Sequence, residues 1–509
     1  MLKKTRITLA TISFILLTLL FLDFTGAMRW AHWLPKLQLV PALLALNLVA
    51  IAVVLVITLL LGRIYCSVVC PLGILQDIIL AVRRKLKRKR FTYSPPRNWL
   101  RYTILVLYVV AGALGLQTVV ILLDPYSAYG RIAHSLLQPA YQWGNNLFAT
   151  AAERYDSYAF YHVDIAAVAL PALIAALATL LIVGVLAWMY GRAYCNNICP
   201  VGSLLGLLSR FSLLKIRLDS DQCISCMSCE RTCKASAIDI KSHRIDYSRC
   251  VVCGDCIKSC HRSGITFAKA KGAAFGAKRL SPLLGEGLGE GQANGGHVVT
   301  NTSRRAFLTG TAVTLAAVAM AQEKKKVDGG LAVIEDKQKP ERKTPITPPG
   351  SLSAKNLARH CTACQLCVSA CPNGVLQPST SLLNLMQPTV SYERGYCRPE
   401  CTRCSEVCPT GAIRRITPAD KTAIHVGHAV WVRKNCVVLA DDVSCGNCAR
   451  HCPAGAITMV PVDADDPRSR RIPAVDEAKC IGCGACENLC PARPFSAIYV
   501  EGHEVHRND

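Results

Sequence analysis

The stretch CISCMSCERTC, Cys223 to Cys233, sets four cysteines at the spacing C-x2-C-x2-C-x3-C, and CVVCGDCIKSC repeats it from Cys250 to Cys260. Such runs are a ligand pattern rather than a packing pattern, because three thiols on one tight loop close around a common centre. The whole chain holds 28 cysteines in 509 residues. Small secreted domains use such density for disulfides, but a long chain with cysteines spread along it is expected to bind metal. A hydrophobic share of 51% and a positive mean hydropathy point to a membrane component. The formal charge of +24 falls largely beside apolar segments, and no interleaved aromatic and basic pattern accompanies it, so nucleic acid is not an expected partner.

Four further quartets occupy CTACQLCVSACP, CRPECTRCSEVCP, CVVLADDVSCGNCARHCP and CIGCGACENLCP, beginning at Cys361, Cys397, Cys436 and Cys480; the second and third widen the first gap to three and eight residues. The spacing resembles that of bacterial two-cluster ferredoxins, where the fourth cysteine ligates the other cluster. That resemblance implies six 4Fe-4S clusters. Their ligand sets are Cys223, Cys226, Cys229 with Cys260; Cys250, Cys253, Cys256 with Cys233; Cys361, Cys364, Cys367 with Cys408; Cys397, Cys401, Cys404 with Cys371; Cys436, Cys445, Cys448 with Cys490; and Cys480, Cys483, Cys486 with Cys452. Lys234 and His261 stand where such ferredoxins carry proline after the fourth cysteine. Zinc favours paired C-x2-C knuckles instead. His360, His425, His428 and His451 are scattered and read as surface or supporting residues, and no C-x2-C-H attaches haem.

Four apolar stretches, Ile7 to Gly26, Leu39 to Leu61, Tyr102 to Leu123 and Ile165 to Met189, have the length of about 20 residues that a bilayer span needs. Lys3, Lys4 and Arg6 before the first, and RRKLKRKR (Arg83 to Arg90) after the second, set those ends in the cytoplasm. The remaining four cysteines close the second and fourth spans as YCSVVCPLG (Tyr65 to Gly73) and YCNNICPVG (Tyr194 to Gly202), each preceded by Gly-Arg. On an ideal helix Cys66 and Cys70 share one face, as do Cys195 and Cys199. The repeat predicts a pseudo-twofold four-helix bundle in which the two C-x3-C-P pairs meet as one redox or metal site, a possible seventh after the six clusters. The plainer alternative is buried packing cysteines, with Pro71 and Pro200 as helix stops. The stretches Gly73 to Lys87 and Gly202 to Arg217 read as interfacial amphipathic helices.

The expected fold class is an α-helical membrane bundle of four helices, or five if residues 301–322 are retained, plus α+β ferredoxin-like dicluster domains. The boundaries are a membrane domain over 1–218, a cytoplasmic dicluster domain over 219–268, a linker over 269–300, a twin-arginine-like signal or fifth helix over 301–322, a tether over 323–350 and a periplasmic tandem dicluster region over 351–509. Arg304 and Arg305 ahead of Phe307 and Leu308, with Ala319-Met320-Ala321 at the end of a short apolar run, resemble a twin-arginine export signal. Export of a folded domain suits that region, whose sixteen thiols would otherwise cross unloaded into an oxidising compartment.

Together these features resemble the NapH-type quinol-dehydrogenase membrane ferredoxins over about residues 1 to 270, fused to a NapG-type periplasmic ferredoxin subunit over about 301 to 509. Similar C-x3-C-P proteins serve nitrous-oxide reduction and cytochrome oxidase assembly. The resemblance implies a multi-pass protein of the bacterial inner membrane that passes electrons from quinol to a periplasmic acceptor or terminal reductase; an assembly or regulatory redox factor is the alternative. No stretch supplies a molybdopterin, flavin or copper site, so substrate reduction is expected on a partner. DPYSAYGRIAH, Asp124 to His134, carries ionisable groups suited to quinol and proton handling, although an ordinary periplasmic loop is the plainer reading. Two clusters on one side and four on the other leave a gap across the membrane domain.

Overall fold

An apolar run without proline or glycine gives the first helix, α1 (Leu2–Leu22). The computed structural model describes residues 2–23, 26–86, 91–156, 160–165, 168–269, 335–382, 384–466 and 468–508. The twin-arginine-like segment and most of the linker and tether lie outside them. By its contacts the chain divides into one unit of Met1–Ala270 with Gln338–Asp509 and a second of Lys271–Lys337; the described helices and strands all belong to the first.

The expected second span is broken into α2 (Leu39–Leu44) and α3 (Leu48–Leu61), because Leu46 turns left-handed at φ 51° and the Asn47 side chain caps α3 by accepting from Ala50 N. After the first C-x3-C-P pair comes α4 (Pro71–Leu86). The expected third span is likewise broken, into α5 (Asn98–Ala113) and α6 (Gln117–Leu123), at Gly115 with φ 77°. Next come α7 (Pro125–Ile132), a five-residue π-helical segment, Ala133–Leu137, and α8 (Gln138–Glu153). The fourth expected span is one helix, α9 (Leu170–Tyr190), and α10 (Pro200–Ser209) follows the second C-x3-C-P pair. Among the described residues two helices, α1 and α9, are thus long and apolar enough to cross a membrane; only 28% and 22% of their apolar windows is buried, so neither is wrapped on all sides by protein.

The internal repeat takes the form of an exchange between halves. Helix α4 packs on α9 and α10 packs on α3, so the helix after each pair leans on the other half's long helix. Gly62 (φ 75°) and Gly191 (φ 73°) end α3 and α9, and their left-handed turn aims the following arginines inward. Arg63 Nη2 donates to Cys195 O at 3.1 Å, and Arg192 Nη1 donates to Cys66 O at 2.8 Å. Pro71 and Pro200 are not helix stops: each occupies the first turn of a new helix, where the missing N–H costs nothing. One face of each of these helices is buried in protein: Pro71–Ile74, Gln76 and Leu80 of α4, and Pro200–Ser203 and Leu205 of α10. A methyl on Gly202 would sit 2.2 Å from Cys195 O and 2.9 Å from Arg63. Gly202→Ala should therefore lose about 1–3 kcal/mol by overpacking, read as a lower thermal midpoint; an unchanged midpoint would show that the contact yields.

The first cysteine-rich module begins earlier than residue 219, because β1 (Leu214–Leu218) pairs antiparallel with β4 (Ile265–Lys269) and encloses β2 (Ile238–Asp239) and β3 (Arg244–Ile245). In the C-terminal region β5 (Leu376–Pro378) pairs with β6 (Pro388–Val390), β8 (Ile457–Pro461) with β9 (Arg471–Val475), and β7 (Ile424–Trp431) with the long β10 (Ile498–Asn508). Part of the expected tether belongs to this region: Arg342 pairs with Glu487 at 2.5 Å, and Ile346 is in its core. The two modules meet opposite ends of α1. Lys3 binds Asp255 of the first at 2.7 Å, whereas Leu17, Leu20 and Phe21 share a core with Cys361, Cys364 and Cys367. The 21 residues of α1 span about 31 Å.

Candidate redox centres

The four tight quartets share one backbone device. Residues immediately before and after the second cysteine are left-handed: Ser225 and Met227, Val252 and Gly254, Ala363 and Gln365, Gly482 and Gly484. Two such reversals curl three thiols toward one point. For a β-branched residue such as Val252 this conformation is unfavourable, so the centre it wraps must repay the strain. The widened quartets do without it at the corresponding sites, with Thr402 at φ −117° and Gly446 at φ −165°, because a longer first loop bends less sharply.

Each fourth cysteine reaches across to its neighbour's trio. Cys223, Cys226, Cys229 and Cys260 line one apolar cavity with Ile240 and Ile265. Cys480, Cys483, Cys486 and Cys452 line a second; Cys436, Cys445, Cys448 and Cys490 line a third. Cys408 lies close enough to interact electrostatically with Cys361, Cys364 and Cys367, as Cys371 does with Cys397, Cys401 and Cys404, and Cys233 with Cys250, Cys253 and Cys256.

The donor set suits anionic iron–sulfur clusters. Backbone N–H groups point at the crossing sulfurs: Ala237 N to Cys233 and Ile413 N to Cys408 at 3.4 Å, Ala456 N to Cys452 and Ala497 N to Cys490 at 3.3 Å. Burial pushes the Cys250, Cys364 and Cys483 thiols up to about 12. Thiolates there need a bound cation, so loading iron would release protons. Among the described residues no group of three or more His, Cys, Asp or Glu side chains is disposed to hold a single metal ion.

The two C-x3-C-P pairs come together as one buried group. Cys66, Cys70, Cys195 and Cys199 are each 3–4% exposed and share a core with Val251 and Cys253 of the first module. The ideal-helix expectation is corrected: Cys70 N and Cys199 N bond to Tyr65 O and Tyr194 O, five residues back, and Cys199 leaves the helix in an extended conformation. This frees its sulfur to cap α10 by accepting from Gly202 N at 3.4 Å. Gln76 Nε2 donates to Cys195 Sγ at 3.1 Å, and Arg63 Nη2 lies 4.0 Å from Cys66 Sγ.

Asp124–His134 is no surface loop. All of its residues are buried. Asp124 caps α7 through Tyr126 N and Ser127 N, and Arg131 Nη1 donates to Ile121 O at 2.9 Å. His134 Nδ1 lies 2.7 Å from Gln138 Oε1 and 3.0 Å from Ser369 Oγ of the C-terminal region. His134 Nε2, Arg131 Nη2 and Tyr126 OH have no hydrogen-bond partner among the described residues. The loop reading failed because the stretch lies under the C-terminal region.

Sequence reasoning missed the ion cluster that fastens the first module. Asp77 of α4 binds Arg6 at 2.9 Å, Arg192 at 2.8 Å and Lys234 at 2.6 Å. Burial alone would raise its pKa, but Arg192 and Lys234 hold it well below the ordinary carboxylate range. Lys234 in place of proline was the available signal: its carbonyl also accepts from Arg192 N at 2.8 Å. The histidines are less scattered than expected. On paired β7 and β10, His428 stacks on His503 with ring centroids 5.2 Å apart, and buried His425 Nδ1 lies 2.9 Å from Cys480 O.

The chain matches a 4Fe-4S binding domain profile over residues 43–89 and 170–219, and a 4Fe-4S dicluster domain profile over 360–412 and 443–493. It is 33% identical over 157 residues, 30% of its own length and 70% of the relative's, to a methylamine utilization ferredoxin-type protein, MauM, of Methylorubrum extorquens. A putative electron transport protein, YccM, of Escherichia coli is 26% identical over 42% of this chain and 52% of its own. The ferredoxin-type protein NapH of Haemophilus influenzae is 25% identical over 38% and 55%. The chain spans about half to two thirds of the length of the first curated relatives it matches. No solved structure matches it.

Proposed function

The chain belongs to the NapH-like polyferredoxins, ferredoxin-type electron-transport proteins built on 4Fe-4S domains, and from that premise we propose that it carries electrons from membrane quinol to a periplasmic acceptor. The observation that carries this reading is the division of six cross-paired thiol sets between two modules, two in the one that meets the start of α1 and four in the C-terminal region, whose Cys361 and Cys397 sets share a core with its finish. On this reading the six ligand sets hold six clusters, and the C-terminal half is a NapG-like module fused to a NapH-like one. A bound 4Fe-4S cluster accepts and releases one electron at a time. Around it, the buried thiols exclude water, and N–H donors offset thiolate charge and so raise the potential.

Membrane embedding is supported by exposed apolar side chains on four helices, among them Ile12 and Ile15 of α1, Val53 and Val56 of α3, Val106 and Val109 of α5, and Ile174 and Leu181 of α9. Such a belt on separate helices is what lipid would cover. Exposed Trp30, Trp33, Trp99 and Tyr190 stand at helix ends, as interfacial aromatics do. The first module then lies in the cytoplasm and the C-terminal region in the periplasm. Quinol binds within the bundle beside Asp124, Arg131 and His134: Arg131 Nη2 and Tyr126 OH are free to donate to a quinone oxygen, and His134 Nε2, an acceptor while Nδ1 donates to Gln138 Oε1, is free to take a quinol proton.

The test is reduction by a reduced quinol analogue. Anaerobically purified full-length chain should lose its visible cluster absorbance on mixing, and no bleaching would defeat the quinol reading.

A further inference from the structure

We propose that the two C-x3-C-P pairs together build one iron–sulfur centre on four thiolates, and that it is the relay between the Cys250/Cys253/Cys256/Cys233 set and the Cys361/Cys364/Cys367/Cys408 set. The inference rests on the electron-transfer role proposed for the chain and adds a centre to it.

Counting ligands gives the first argument. Residues 43–89 and 170–219 each match a 4Fe-4S binding profile, yet each holds only two cysteines, Cys66 with Cys70 and Cys195 with Cys199. A 4Fe-4S cluster takes four thiolates, so neither segment completes a site alone. The exchange of α4 and α10 between the halves joins the two pairs in one buried core.

The surroundings of the four sulfurs favour anions. Gly202 N and Gly73 N donate to Cys199 and Cys70, the same N–H to sulfur contact that the crossing cysteines of the ferredoxin sets receive. Gln76 adds a side-chain donor to Cys195. The guanidinium groups of Arg63 and Arg192, both fully buried, bond the carbonyls of Cys195 and Cys66. Arg192 is also paired with Asp77, whereas Arg63 has no ion-pair partner among the described residues and donates to Asn196 Oδ1, Ser248 O and Cys195 O; its buried charge would be offset by the roughly two negative charges of a four-thiolate cubane.

Position supplies the relay. Val251 and Cys253 share the core of the four thiols, as do Ala128 and Ile132 on one face of α7. Tyr126 and Tyr129, on its other face, pack with Cys361, Cys364 and Cys367. Gly130 brings α7 so near that a methyl there would lie 2.3 Å from Cys364 O. Along α1, Arg6 at the Asp77 level and Leu17 in the Cys364 core are separated by about 16 Å on an ideal helix. An electron leaves one set as it enters the four-thiolate centre, and leaves that centre as it enters the next set; no atom or proton changes hands.

Iron in anaerobically purified full-length chain should be about 28 per chain, and about 24 in a Cys66→Ser/Cys195→Ser double variant. A wild-type count of about 24, unchanged in the variant, would overturn the seventh centre and leave the six-cluster reading standing. Counts far below 24 in both would defeat that reading itself. Should the double variant not fold, the wild-type count still decides, and Gln76→Leu gives a second measurement. It keeps all four thiols but removes one donor, so about 28 irons should remain while one cluster signal shifts to lower potential in an EPR redox titration; no shift in any signal speaks against the site. In the double variant, quinol analogue should leave some of the six remaining clusters oxidised in samples frozen after mixing. Reduction of all six at the wild-type rate would overturn the relay.

Discussion

Replacing Asp77 with asparagine should destabilise the fold by about 3–5 kcal/mol, the range for removing one partner of a buried ion pair. The carboxylate is only 16% exposed and faces three cations, of which Arg6, Arg192 and Lys234 are 6%, 0% and 4% exposed. Asparagine keeps the shape and leaves those charges without an anion. Because Lys234 follows the crossing ligand Cys233, the loss should also loosen the first module, read as faster release of iron from the variant to a chelator. The pH dependence has a definite sign. Asp77 is held below its ordinary value of 3.8, so its stabilisation is present above that pH and is lost as the pH falls below it. The asparagine variant should lack this part of the acid sensitivity. Equal denaturation midpoints for the two proteins at neutral pH would show that the cluster contributes nothing.

The second large effect tests how the cysteines are shared. Cys260→Ser should remove about four irons per chain, and the pairing decides what a further substitution does. If Cys260 completes the Cys223, Cys226 and Cys229 site, whose cavity it lines, then adding Cys229→Ser should remove no more. Adding Cys256→Ser instead should remove about four further irons, because that thiol serves the neighbouring set. The reverse outcome would mean that each run of four closes on its own cluster. Iron analysis together with the EPR signal of the remaining clusters reads both.

How much of this was legible in the chain differs from element to element. The positions of the ferredoxin loops could be read directly, because C-x2-C-x2-C-x3-C is a local pattern and the left-handed turns at Ser225, Met227, Ala363 and Gln365 need only neighbouring residues. The apolar spans were located but not their breaks: Asn47 caps a helix and Gly115 reverses one, and hydropathy averages over both. Asp124–His134 read as a loop because its polar residues are ordinary in solvent; the C-terminal region packed against Gly130 and His134, together with the bundle core around Ala128 and Ile132, makes them buried.

By itself the sequence determined the spacing from which the ligand sets are expected, since such spacing is set by short loops, and it placed four leftover cysteines in two matching pairs. The tertiary structure alone decided that those pairs meet, that Arg63 and Arg192 each cross to the other half, and that Lys234 docks on Asp77. These contacts join residues more than a hundred positions apart. No local periodicity encodes them, and they form only when α4 and α10 exchange partners and bury the charges between them.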